Sequence, residues 1–327
     1  MTRSRTVVLS SLLVVAAGSA AAVGAFFLDP ARASVGPLPA EALVLPADTT
    51  FVVGLDVKRF AASPFYKKYG RKGAPQDFAD LEEKTGINPE RDVDLVVLAG
   101  NKAMERGQPV VLVSGTFDRY KLGRALETKK GVTWKKENGV TTYLFAEGTK
   151  GAHALAFLDD RTLVLGSQQA VEATAASHAG GTRALRRNAA LMDLLGRVKP
   201  GSTFWMVGDQ TLLSNLPKTI PAPGAAQGTS SEMTLPALKT LTVTGDLDPV
   251  VSVDVTGGAS DEAAAKNLAD IVRGFVALAV LQANQRPELK SLASAVSVTT
   301  ETNQVHVTAR FPYELLDALE PKAPPTP

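Results

Sequence analysis

Thr50-Phe51-Val52-Val53-Gly54 follows the turn Pro46-Ala47-Asp48, and a similar run, Thr203-Phe204-Trp205-Met206-Val207-Gly208, follows Pro200-Gly201-Ser202. Both read as short strands, because apolar β-branched and aromatic runs bounded by turn residues favour extended backbone. Each run opens an ordered set of segments. In the first set Leu95–Gly100 precedes Pro109–Gly115; in the second Leu241–Gly245 precedes Pro249–Asp254. Each pair reads as two adjacent strands. A helix is expected next, from Asp118 to about Lys129 and from Asp261 to about Asn284, with the aspartates as N-caps. A hairpin closes each set. Val132–Trp134 and Val140–Phe145 flank Asn138-Gly139, which supplies the positive φ angles of a type I′ turn, and Val296–Val298 and Val305–Val307 flank Thr302-Asn303.

Both sets spell β-α-β-β-α-β-β, and five corresponding elements in one order point to internal duplication. The expected fold class is α+β, two tandem units with mostly antiparallel sheets, spanning 34–198 and 199–320. The repeat does not say whether they form one continuous sheet or two. The first unit adds a hairpin, Ala154–Leu158 with Thr162–Gly166, and helices from Gln168 to about Ser177 and from Arg187 to about Val198. The second carries an insert, Leu216 to Thr234, rich in Pro, Gly, Ala, Ser and Thr; it reads as a mobile spacer, with too little apolar area to offset its ordering entropy. Residues 321–327 form a Pro-rich tail that reads as disordered.

The opening Leu45–Asp56, with Thr85-Gly86-Ile87-Asn88-Pro89-Glu90-Arg91-Asp92 before a strand, resembles an uncharacterised family of secreted or membrane-anchored bacterial proteins. The resemblance implies a duplicated α+β body outside the cytoplasm and transfers no catalytic residue. The residues also make sense locally: Gly86 ends a helix, Asn88-Pro89 turns the chain and Asp92 precedes the strand.

Two arginines in Met1–Arg5 precede Val7–Leu28, 22 residues without a charge. As a signal peptide, the segment ends in Ala31-Arg32-Ala33 with cleavage before Ser34. As an anchor it reaches ~33 Å, enough to cross the hydrocarbon core. Both readings leave Arg3 and Arg5 in the cytoplasm and the rest of the chain beyond the membrane, in the periplasm or cell envelope. Without residues 1–33 the body holds 32 basic and 32 acidic side chains, since Arg3, Arg5 and Arg32 leave with Asp29. A neutral body argues against nucleic acid as a partner. Local clusters at Lys67, Lys68, Arg71 and Lys72 and at Arg183, Arg186 and Arg187 read as solvated helix faces; the first is also a candidate contact for acidic polymers or lipid headgroups.

The chain has no Cys, which removes disulfides, zinc ribbons, iron–sulfur clusters and thiol catalysis. No G-x-S-x-G, S-x-x-K, Walker, G-x-G-x-x-G or H-E-x-x-H pattern is present. His153, His178 and His306 are isolated in sequence and read as structural. Asp92 with Asp94, and Asp246 with Asp248, flank strands at comparable places in the two units. They read as turn and edge chemistry, with a hard-cation site as the alternative. No cofactor, metal or catalytic residue is expected.

Ile271 to Leu281 is apolar on nearly every face except Arg273 and too short to span a membrane. It reads as a helix clamped between the sheet and other helices. The alternative leaves one face open, with Ile271, Phe275, Leu278 and Leu281 as a ligand or partner surface. The expected function is a non-enzymatic envelope protein, a binding or scaffolding module whose partner is another envelope protein or lipid and whose N-terminal segment meets the membrane. The rival readings are a carrier of lipid or another apolar ligand, and a hydrolase with acids assembled from distant loops.

Overall fold

A computed structural model describes residues 40–70, 74–101, 109–145, 152–180, 183–214, 219–221, 232–234, 236–282 and 295–317. The targeting segment 1–33 and the tail 321–327 lie outside the described residues. The first unit opens with a 3₁₀ turn, Ala40–Val44, and β1 (Thr49–Asp56). Four short helices follow: α1 (Val57–Ala62), α2 (Pro64–Tyr69), α3 (Ala74–Thr85) and α4 (Pro89–Asp92). Then come β2 (Val93–Asn101), β3 (Val110–Gly115), α5 (Arg119–Glu127), β4 (Val132–Glu137) and β5 (Val140–Phe145). The additional hairpin is β6 (His153–Phe157) and β7 (Thr162–Ser167), followed by α6 (Gln168–Ala179), a 3₁₀ turn at Ala184–Arg187 and α7 (Ala189–Gly196).

The second unit runs β8 (Phe204–Gly208), α8 (Gln210–Leu213), β9 (Thr219–Pro221), β10 (Glu232–Thr234), β11 (Leu238–Asp246) and β12 (Val251–Ala259). It closes with α9 (Glu262–Gln282), β13 (Val296–Glu301), β14 (Gln304–Phe311) and α10 (Tyr313–Asp317). Local chemistry explains these boundaries. Asp118 caps α5 by accepting from Lys121 N–H, Gly86 leaves α3 at φ 77°, and Asn138 and Gly139 turn the β4–β5 hairpin at φ 49° and 83°. Asn88-Pro89, expected as a plain turn, starts the one-turn helix α4, with the Asn88 side chain accepting from Glu90 and Arg91 N–H.

One antiparallel sheet of 12 strands carries both units, in the order β13-β14-β12-β11-β8-β1-β2-β3-β7-β6-β5-β4. The junction is β1 against β8, the two runs that open the units. Asp56 N–H donates to the Thr203 carbonyl at 2.8 Å, and Asp209 N–H donates to the Thr50 carbonyl at 2.9 Å. Asp56 and Asp209 also cap the helix that follows each strand. Outward from the junction, Phe51 lies across Gly100 of β2, and Phe204 lies across Gly245 of β11. A Cβ added at Gly100 would come within 2.4 Å of the Phe51 ring, and one at Gly245 within 2.1 Å of the Phe204 ring, so both glycines are seats for an aromatic side chain. β14 pairs directly with β12 in the second unit, whereas β7 and β6 are inserted between β3 and β5 in the first.

Alternation along the strands divides the core between two faces. One carries Val53, Leu55, Val96, Phe204, Val243 and Val253 and is joined by Leu122 and Leu126 of α5. The other carries Val52, Val97, Leu112, Trp205 and Val207 beneath Val171 of α6 and Leu191 and Leu195 of α7. Beyond β11 this second face turns polar, with Asp254, Thr256, His306 and Thr308 half-buried and Ser297 and Thr299 exposed. The expectation of a loose insert at 216–234 is corrected at its ends. Ile220 lies opposite Met233 and the flanking residues pair as a two-stranded ribbon, the local ladder offsetting part of the ordering cost; the rest of the insert lies outside the described residues.

Candidate functional site

The long helix α9 is set down on the outer strands of the second unit. Asp261 accepts from Ala264 N–H at 2.8 Å and from the Ser260 hydroxyl at 2.9 Å, and these donors hold its carboxyl below the usual carboxylate range. Ala265 and Ala269, both fully buried, meet Val305 and Ala259. Small residues at this i, i+4 spacing let the helix approach the sheet closely. Leu268, Val298 and Val307 complete a small satellite cluster. On the side of the edge strand β13, Arg273 donates to the Val298 carbonyl at 3.1 Å and pairs with Asp270 at 2.7 Å.

Of the four residues expected as a surface, Ile271 is half-buried and Phe275 is 38% exposed, one of three exposed large apolar side chains among the described residues. Leu278 and Leu281 fall within α9, but their side chains lie outside the described residues. Helical spacing places Ile271 and Phe275 on one stripe, roughly a quarter-turn from the alanine stripe. The sheet takes the alanines, and among the described residues Phe275 falls on an exposed flank.

Three of the four paired carboxylates, Asp92, Asp94 and Asp246, are tied to protein groups, and Asp248 is exposed. Asp92 accepts from Asn88 N–H at 2.8 Å and from Arg91 at 2.7 Å, and Asp94 accepts from Arg161 at 2.5 Å with Lys58 at 3.7 Å. Burial pushes the Asp92 carboxyl up, but the Arg91 guanidinium and the Asn88 amide outweigh it and hold it below the usual range. Asp246 accepts from the Thr203 hydroxyl at 2.7 Å and from Leu247 N–H at 3.0 Å, which ties β11 to the loop before β8. Among the described residues no group of three or more His, Asp or Glu is arranged to hold a metal.

His153 starts β6 and His178 sits in the last turn of α6. His306 places Nδ1 3.1 Å from the Thr256 hydroxyl and buries Nε2 without a hydrogen-bond partner among the described residues. The three histidines stand on separate elements, β6, α6 and β14. Of the first basic cluster, Lys68 pairs with Asp317 and joins α2 to α10, Lys67 is exposed, and Arg71 and Lys72 lie outside the described residues.

Among the described residues the most exposed aromatics are elsewhere, Tyr120 at 87% on α5 and Trp134 at 56% on the edge strand β4. The expectations did not include them. Their signal was a local one: Arg119 to Lys136 holds seven basic residues and one acidic, a concentration that a neutral total conceals.

No protein-family model matches the chain, and no curated protein matches it. Among solved structures, crystal form III of TP0453 is similar at 10% identity and a TM-score of 0.48, covering 88% of this chain and 98% of that one. Crystal form I of TP0453 gives 11% identity and a TM-score of 0.46 over 87% and 96%.

Proposed function

We propose that the chain is a non-enzymatic extracytoplasmic protein, a binding module that holds a polypeptide partner of the envelope against the α9 flank at Ile271 and Phe275. The observation that carries this reading is the 38% exposure of Phe275 on a helix otherwise seated through buried alanines. An open apolar stripe beside a polar rim suits association with another protein. The charged start, the apolar Val7–Leu28 and the resemblance at Leu45–Asp56 support a place beyond the membrane.

Native mass spectrometry of the protein extracted gently from its own envelope tests the reading, with the N-terminus sequenced from the same sample. The expected result is a stoichiometric polypeptide adduct that Phe275→Asp loses while keeping its melting temperature. A bound mass in the lipid range, insensitive to that substitution, would put the carrier in its place. Bare protein would remove the module reading.

A further inference from the structure

The surface built by α5 and β4 concentrates positive charge around two exposed aromatic rings. α5 lies across the sheet over Tyr143: a Cβ at Gly123 would stand 2.9 Å from the Tyr143 hydroxyl, which in turn donates to Glu127 at 3.3 Å. Trp134 is the residue opposite Tyr143 on the edge strand, so its ring belongs to the same face as α5. Lys136, two residues on, shares that face. Lys135 faces the other way and is engaged by Glu172 of α6 at 3.0 Å and by Glu137 at 3.3 Å.

On the helix, Tyr120 and Arg124 follow i, i+4 spacing on the outward side, with Lys121 beside them. Lys121, Arg124, Lys130 and Lys136 are all exposed, and among the described residues they form no ion pair. Arg119 is engaged by Asp160 and stacks over Phe157. Glu127 is the acid on this face, and it accepts from Tyr143.

Four exposed cations beside an exposed Trp and an exposed Tyr match the chemistry of a membrane interface. Indole and phenol rings settle at headgroup depth, while lysine and arginine meet anionic phosphates. We propose that the α5–β4 face docks on a bilayer surface bearing anionic phospholipid headgroups, laying the sheet edge against the membrane. The charge-free stretch Val7–Leu28 of the same chain would bring that surface within reach. The inference does not depend on the α9 flank, and either can fail without the other.

The two tryptophans make the test direct, because Trp134 is exposed whereas Trp205 is 4% exposed, so acrylamide quenching reports Trp134. The full chain is reconstituted into vesicles of zwitterionic lipid alone and into vesicles with about 30 mol% anionic lipid, so that only surface charge differs. The expected result is that quenching falls by about twofold in the anionic vesicles and recovers in ~0.5 M salt, where charges are screened within a few ångströms. Lys121→Gln/Arg124→Gln/Lys130→Gln/Lys136→Gln should abolish the protection with the circular dichroism spectrum unchanged, and Trp134→Phe should leave a lipid-independent signal. Equal quenching in both vesicle types overturns the proposal, as does protection that survives salt and the fourfold substitution. Equal protection by soluble polyphosphate without vesicles would assign the face to a soluble polyanion instead.

Discussion

Val53 of β1 lies directly opposite Met206 of β8, and each occupies the same place in its own unit. The pair therefore marks a local two-fold centre, around which the reciprocal Asp56–Thr203 and Asp209–Thr50 hydrogen bonds are arranged. A junction made of two inner strands, rather than of a linker, joins the units through main-chain ladder and shared core.

Unfolding should follow from that junction. Next to Val53, Gly54 lies under the indole of buried Trp205, where a Cβ would come within 2.2 Å of the ring. Gly54→Val forces the indole out of its seat, and overpacking of this kind costs about 1–3 kcal/mol. Urea denaturation followed by Trp fluorescence and by far-ultraviolet circular dichroism should show both signals moving together to lower urea. Two separated transitions in the parent protein would contradict a single cooperative sheet.

The way α9 is seated predicts opposite responses from neighbouring residues. Ala269 is fully buried against the satellite cluster, so Ala269→Leu overfills the contact and should cost about 1–3 kcal/mol. Phe275→Ala, on the open flank, should change stability by no more than about 1 kcal/mol. Equal losses in thermal unfolding would mean that Phe275 is a core residue.

Acid should loosen the α3–α4 corner. Asp92 takes donors from Asn88 and Arg91, and Glu82 takes donors from Asn88 and Arg91 as well; both carboxyls sit below the usual carboxylate range. Arg91 and Asn88 hold Glu82 down; for Asp92, burial opposes the shift and the same two partners prevail. A carboxyl depressed in the folded state contributes stability that is present above its unfolded pKa of about 4 and is lost as pH falls through the folded value. The melting temperature should drop between about pH 4 and pH 2, and Asp92→Asn should flatten that slope. A slope unchanged in the variant would remove Asp92 as a source.

The β4–β5 turn offers a test of backbone strain alone. Gly139 has φ 83° with nothing within 4 Å of a Cβ, so Gly139→Ala meets no steric neighbour and suffers only the left-handed backbone. The expected cost is about 1–2 kcal/mol in chemical denaturation. A neutral substitution would show that the turn relaxes to another form.

The sequence by itself determined the local elements. Alternating β-branched runs, Asp118 and Asp261 as helix caps and the Asn138-Gly139 turn act over a few residues, and all appear in the structure close to where they were read. Two tandem β-α-β-β-α-β-β units were legible for the same reason. Tertiary structure decided that the units share one sheet, because β1 and β8 are some 150 residues apart and any strand with free N–H and C=O groups offers an equivalent edge. It also decided which stripe of α9 the sheet covers and which face carries Trp134. Helical and strand periodicity assign residues to stripes; only packing determines which stripe is covered.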